Sequence, residues 1–143
     1  MIRNWLRRFK RLRSILIVED LPIWQKNFRR ILRDEPFNVH IASNTAEALG
    51  HLNAHPIDVV LLDINLSGVS YNIDGLRLAE QIWKDYKNIR IIIVSGSQEW
   101  DKRLSNYHFI PSFVIEKQNL DVDDLIEKIH RALNTGARQR ATT

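Results

Sequence analysis

Two kinds of hydrophobic pattern alternate along this chain. Short, nearly continuous apolar runs occur at Ser14–Val18, Val39–Ala42, Ile57–Leu62, Ile89–Val94 and Ser112–Ile115, and each stops at polar or charged residues. Runs of this length suit strands buried on both faces, because side chains of either parity then meet apolar surface. The second run is the weakest of the five. Between the runs, apolar residues recur at helical spacing. Ile23, Trp24, Phe28, Ile31 and Leu32 follow Pro22, whose missing N–H suits the first turn of a helix, and Pro36 marks the far end. A second helix carries Ala46, Leu49 and Leu52. Ser43 or Asn44 can cap it, with Glu47 three residues after Asn44. A third runs from Asp74 through Leu76, Leu78, Ala79, Ile82 and Trp83. A fourth, the least patterned, is predicted over Gln98–Asn106. The last covers Val122–Leu133, with Leu125, Ile126, Ile129 and Leu133 on one face.

Strands that alternate with helices predict an α/β domain whose parallel sheet is covered on both faces, with right-handed crossovers. The 143 residues fit one such domain without metal or disulfide staples. The chain has no cysteine, which excludes disulfides and thiolate metal sites. No apolar run approaches the length needed to span a membrane.

Charge changes the picture more than composition does. The net charge is +4 and the pI about 9.6. Yet residues 1–13 hold Arg3, Arg7, Arg8, Lys10, Arg11 and Arg13 with no acid, and residues 134–143 add Arg138 and Arg140. Setting those eight aside leaves 13 basic residues against all 17 acids, so residues 14–133 carry about −4. The basic pI belongs to the tails, and the body does not read as a nucleic-acid-binding domain. The predicted organisation is a basic amphipathic extension over 1–13, a domain over 14–133 and a short polar tail over 134–143.

The chemistry gathers at the strand ends. Ligands of open parallel sheets bind beyond the carboxyl ends of the strands, where the strand order reverses. The first strand ends in Glu19 and Asp20, the third in Asp63, the fourth in Ser95 and the fifth in Lys117. Each has a plain use by itself. Acids favour a following helix N-terminus, a Ser before Gly suits a turn, and a lysine is usually solvated. Together they place three acids, a hydroxyl and an ammonium on one rim. Clustered carboxylates repel, so a hard divalent cation such as Mg²⁺ is the natural occupant. Asp20 and Asp63 would bind it directly and Glu19 directly or through water. The backbone carbonyl of Asn65 would complete the shell. Asp63 is then the nucleophile for a phosphoryl group, with Lys117 and Ser95 paired to phosphoryl oxygens.

With these motifs in place, the chain resembles the receiver domain of bacterial two-component response regulators, in a stand-alone form similar to chemotaxis regulators. The resemblance covers about residues 14–133. It rests on ILIVED at 15–20, VVLLDINL at 59–66, IDGLRLAEQI at 73–82, IIIVSGS at 91–97 and FVIEK at 113–117. It implies a doubly wound, flavodoxin-like (βα)5 domain with strand order 2-1-3-4-5. It also implies a cytoplasmic bacterial setting, Mg²⁺ as cofactor, and a sensor histidine kinase or phosphotransfer protein as donor. Asp63 is by that resemblance the acceptor, Glu19 and Asp20 the acidic pair, Ser95 the switch hydroxyl and Lys117 the phosphate-pairing lysine. Such a domain is a phosphoacceptor and not a turnover enzyme.

The chain departs from the family pattern at several points. Gln118 follows Lys117 where a proline is usual. Val114 stands where an aromatic residue is common, with Phe113 beside it. Ser67 replaces a frequent proline, and the loop between Asp63 and Gly75, which includes Tyr71, is longer than the common form. Asn65 and Ser97 occupy the positions that affect phosphoryl lifetime in the family. The substitutions at 114 and 118 motivate an alternative, a phosphorylation-independent interaction module. A hydrolase on a similar fold would need a second acid soon after the nucleophile, where Asn65 stands.

No DNA-binding domain is expected after Leu133, and output is expected through an unidentified protein partner. A segment cut from a longer chain would read the same way. Trp5, Leu6, Phe9 and Leu12 fall at helical spacing among the N-terminal arginines. That segment suits packing on the domain, a homodimer contact, a partner groove or an anionic membrane surface.

Overall fold

The computed structural model describes residues 11–64, 74–96 and 104–135. Five strands form one parallel sheet. They are β1 (Arg13–Val18), β2 (Phe37–Ala42), β3 (Val59–Asp63), β4 (Arg90–Ser95) and β5 (Phe113–Glu116), in the order β2-β1-β3-β4-β5. Among the described residues, helices α1 (Pro22–Leu32), α2 (Thr45–Ala54), α3 (Asp74–Asp85) and α4 (Val122–Asn134) connect or follow them. The expected doubly wound α/β fold is therefore the observed one. The helix predicted over Gln98–Asn106 lies mostly outside the described residues, as do Asn65, Ser67, Tyr71, Ser97 and the N-terminal aromatic residues.

Strand parity divides the core in two. Ile15 and Ile17 join Leu61, Val94, Phe28 and Ile129 on the face covered by α1 and α4. Leu16 and Val18 join Leu62, Ile93, Leu52 and Ile82 on the face covered by α2 and α3. All six residues of β4 are buried, as expected of an inner strand between two helical layers.

The element boundaries follow from local chemistry. Pro22 opens α1 from an extended Leu21. Asn44 caps α2 by accepting the Glu47 N–H at 2.9 Å, and the Glu47 carboxylate accepts the Ser43 N–H at 2.6 Å. Asp121 caps α4 by accepting the Asp123 N–H at 3.1 Å. The third strand starts later than the apolar run suggests and takes in Asp63, because pairing with β4 continues to Asp63 opposite Val94. Its entry is fixed by Asp58, which accepts the Ser14 N–H at 2.8 Å and pairs with Arg11 at 2.8 Å. Lys117 lies one residue past the strand, opening a 3-10 turn over Lys117–Asn119.

Gly75 is the most crowded of the described glycines. A Cβ there would meet the carbonyl oxygens of Asp63 and Ile64 well inside contact distance. Neither is the end of a flexible side chain, so the backbone itself must move. Gly75→Ala is expected to destabilise the fold by about 1–3 kcal/mol, read as a lower urea midpoint. A helix position without that crowding, such as Gly50, has nothing within 4 Å of its would-be Cβ. Gly50→Ala should leave the midpoint unchanged or raise it.

Candidate functional site

Register alone assembles the site. Val18 pairs with Leu62, so the next residues, Glu19 and Asp63, end adjacent strands at one level. Asp63 pairs with Val94, which Ser95 follows, and Ser95 pairs with Glu116, which Lys117 follows. The four groups stand side by side at the carboxyl edge of β1, β3, β4 and β5, the place where order 2-1-3 reverses direction.

Burial makes this unlike an ordinary loop cluster. Glu19 is 1% exposed, Asp63 4% and Ser95 1%. Lys117 enters between the acids. Its Nζ lies 2.7 Å from Glu19 Oε2 and donates to Asp63 Oδ2 at 3.2 Å. The approach to Glu19 is an ion pair by distance, set at an angle off a hydrogen bond. Trp24, from α1, lies over the ammonium with its ring centre 4.9 Å away. Glu19 is held from its other side. Its Oε1 accepts the Leu21 N–H at 3.2 Å, while its backbone carbonyl accepts from Gln25 Nε2 at 2.6 Å.

Glu19, Asp20 and Asp63 can each turn one carboxylate oxygen toward a common point, with those oxygens within 4.8 Å of one another. Three carboxylates against one ammonium leave the cluster short of positive charge. The shortage shows in two observations. Asp20 Oδ1 is buried with no hydrogen-bond partner among the described residues. The Glu19 carboxyl is pushed up to about 7, first by burial and then by the negative charge of Asp63, against the opposing pull of Lys117. An orphaned buried oxygen and a carboxylate resisting ionisation are what an oxygen-ligated divalent cation would relieve. The residues present therefore fit Mg²⁺. The carbonyl of Asn65, the remaining expected ligand, lies outside the described residues.

The residues that depart from the usual pattern have positions here. The Gln118 side-chain amide donates to the carbonyl of Gly96, tying the turn after β5 to the residue after Ser95. Val114 is half-buried against the α2 and α3 side of the core. Sequence pattern did not single out Trp24 for the site, since its helical spacing fits an ordinary core position. Only the reach of the Lys117 side chain back to Glu19, just before α1 begins, brings the two together.

The sequence model described as the response regulator receiver domain matches residues 15–130. Over 83 residues the chain is 40% identical to an NtrX-like response regulator of Rickettsia bellii, a match that covers 58% of this chain and 17% of that protein. The chain thus spans under a fifth of the length of such relatives. Among solved structures, the receiver domain of NtrX from Brucella abortus is 30% identical, with a TM-score of 0.74 over 85% of this chain and 99% of that one. A CheY-like response regulator receiver protein from Methanospirillum hungatei is 28% identical, with a TM-score of 0.74 over 87% of this chain and 95% of that one.

The Glu19 shift sets a pH dependence for the metal-free protein. Its folded pKa, about 7, lies above its ordinary value of 4.5. The native state therefore holds more protons between those two values, and stability falls as pH rises through that window. Glu19→Gln in metal-free buffer is expected to stabilise the protein at pH 8, by up to roughly 3 kcal/mol, and to do nearly nothing at pH 4.5. Thermal melts across that range check it; an equal effect at both ends would contradict it.

Proposed function

Because this chain belongs to the response regulator receiver domains of two-component systems, we propose that it is a phosphorylation switch in which Asp63 accepts a phosphoryl group. One observation carries the reading. At the tips of separate strands, a lysine whose side chain is 9% exposed bridges two buried carboxylates, beside a third carboxylate with an orphaned oxygen.

Asp20 and Asp63 would hold Mg²⁺ through carboxylate oxygens, Glu19 directly or through water, and Asn65 through its backbone carbonyl. When bound, the ion supplies positive charge to the phosphoryl oxygens. The donor is the phosphohistidine of a sensor kinase or phosphotransfer protein. An Asp63 carboxylate oxygen attacks the phosphorus, a P–O bond forms, and the P–N bond breaks with its electron pair returning to the imidazole. Lys117 then has a new partner. Its ammonium, 3.2 Å from Asp63 Oδ2, moves to a phosphoryl oxygen as a point charge. The Ser95 hydroxyl donates to another oxygen. Drawing Ser95 and Lys117 toward the phosphoryl group shifts the population of the segments that follow them, and with it the surface offered to a downstream protein.

The chain acts in this reading as a phosphoacceptor, catalysing only its own modification and its reversal, in the bacterial cytoplasm. Among the described residues no helix is long and apolar enough to cross a membrane. A second reading, an interaction module indifferent to phosphorylation, draws on Gln118, whose bond to Gly96 ties the two loops that phosphorylation would move.

Incubation with acetyl phosphate and Mg²⁺ is expected to add one phosphoryl group to the wild type, seen by intact mass. Asp63→Asn or a chelator should abolish the adduct. Equal modification of Asp63→Asn would sink the assignment of Asp63. A folded wild type that takes no phosphoryl group from either acetyl phosphate or a kinase would favour the second reading.

A further inference from the structure

Three of the five histidines meet at one place, on an edge of the sheet that phosphoryl transfer does not use. His40 sits in β2, the edge strand, in register with Leu16, so its ring faces the side covered by α2. His51 is in the last turn of α2. His55 follows four residues later, immediately before Pro56. A residue before proline is driven out of the helical region, and His55 is accordingly extended, with φ −136° and ψ 147°. That turn ends α2 and folds the His55 ring back over His40, ring centres 4.4 Å apart. The His51 ring lies 5.4 Å from His40 and 5.9 Å from His55. One ring nitrogen from each lies within 4.8 Å of the other two.

We propose that His40, His51 and His55 form a binding site for a borderline transition-metal cation, Zn²⁺ in the first instance, separate from the acidic pocket. Three imidazoles match the ligand preference of Zn²⁺ and its neighbours, whereas Mg²⁺ demands oxygen. The site also has the outer support that such ligands need. His51 Nε2 lies 3.1 Å from the carbonyl oxygen of Ile41. A carbonyl can only accept, so Nε2 carries the proton and Nδ1 keeps the lone pair, the arrangement by which a backbone carbonyl orients a metal-bound histidine. His55 is exposed, which leaves a fourth coordination position open to water or to a ligand from another molecule. A metal there would tie the edge strand to the end of α2.

The test is titration of the full chain with Zn²⁺ in buffer saturated with Mg²⁺, by calorimetry, alongside His55→Gln, His51→Gln and Asp63→Asn. His55→Gln changes an exposed residue, so its metal-free melting curve should match the wild type and separate lost binding from lost fold. The expected result is one Zn²⁺ per chain, weakened at least about 100-fold, beyond the usual effect of an outer-shell change, in both histidine variants and unchanged in Asp63→Asn. Histidine ring-nitrogen NMR should then show Zn²⁺ shifting His51 Nδ1 and leaving its Nε2–H in place. Affinity unchanged in the histidine variants, or lost only in Asp63→Asn, would overturn the site. So would no binding up to about 1 mM Zn²⁺.

Discussion

A single ammonium lodged between two buried carboxylates is the constraint around which this domain is arranged. Lys117 reaches Glu19 and Asp63 from the last strand, so β1, β3 and β5 meet through one side chain although β4 lies between β3 and β5. Removing one partner of a buried ion pair leaves the other charge uncompensated in a medium that screens it poorly. The acids could not be held this close without the lysine, and the lysine keeps Asp63 as its partner when Glu19 is neutral. Trp24 lies over the ammonium from α1. The arrangement is still short of positive charge, as the orphaned oxygen of Asp20 and the reluctance of Glu19 to ionise both record.

The sheet makes that constraint satisfiable. Parallel strands present their ends at one edge, and a pairing register of the observed kind aligns the residues just beyond them. The apolar layers on the two faces fix the register, because a slip of one residue would turn every inward side chain outward. Gly75 works at the same level from another direction. It lets α3 start against the carbonyls of Asp63 and Ile64, which holds the tip of β3 in place.

Much of this was legible in the sequence, and the rest was hidden for physical reasons. The apolar runs located all five strands, and their charged ends located the acids, the hydroxyl and the lysine. Strand limits were less legible. Asp63 looked like a terminator because polarity ends a hydrophobic run, yet backbone pairing is indifferent to the side chain and continues through it. Phe37 and Asn38 belong to β2 because β1 extends to Arg13 beside them. Arg13 belongs to β1 because its guanidinium finds the Leu133 carbonyl at 3.1 Å and Asp58 at 3.6 Å. Trp24 and the three histidines were less visible still. The spacing of His51 and His55 reads as one helical face, but only the turn forced by Pro56 and the packing of α2 on β2 add His40.

The pairing of Arg11 with Asp58 has a consequence for the polarity of the molecule. Asp58 lies at the foot of the sheet, where β1 and β3 begin, and it holds the incoming chain there through Arg11, Arg13 and the Ser14 N–H. The acidic pocket lies at the other end of those strands, roughly 20 Å away for a six-residue strand. The domain is thus gripped at its base and carries its acidic pocket at its crown. A load or anchor applied through Arg11 would be borne by the Asp58 clasp and the foot of the sheet, leaving the acidic rim facing the opposite way, open to whatever approaches it.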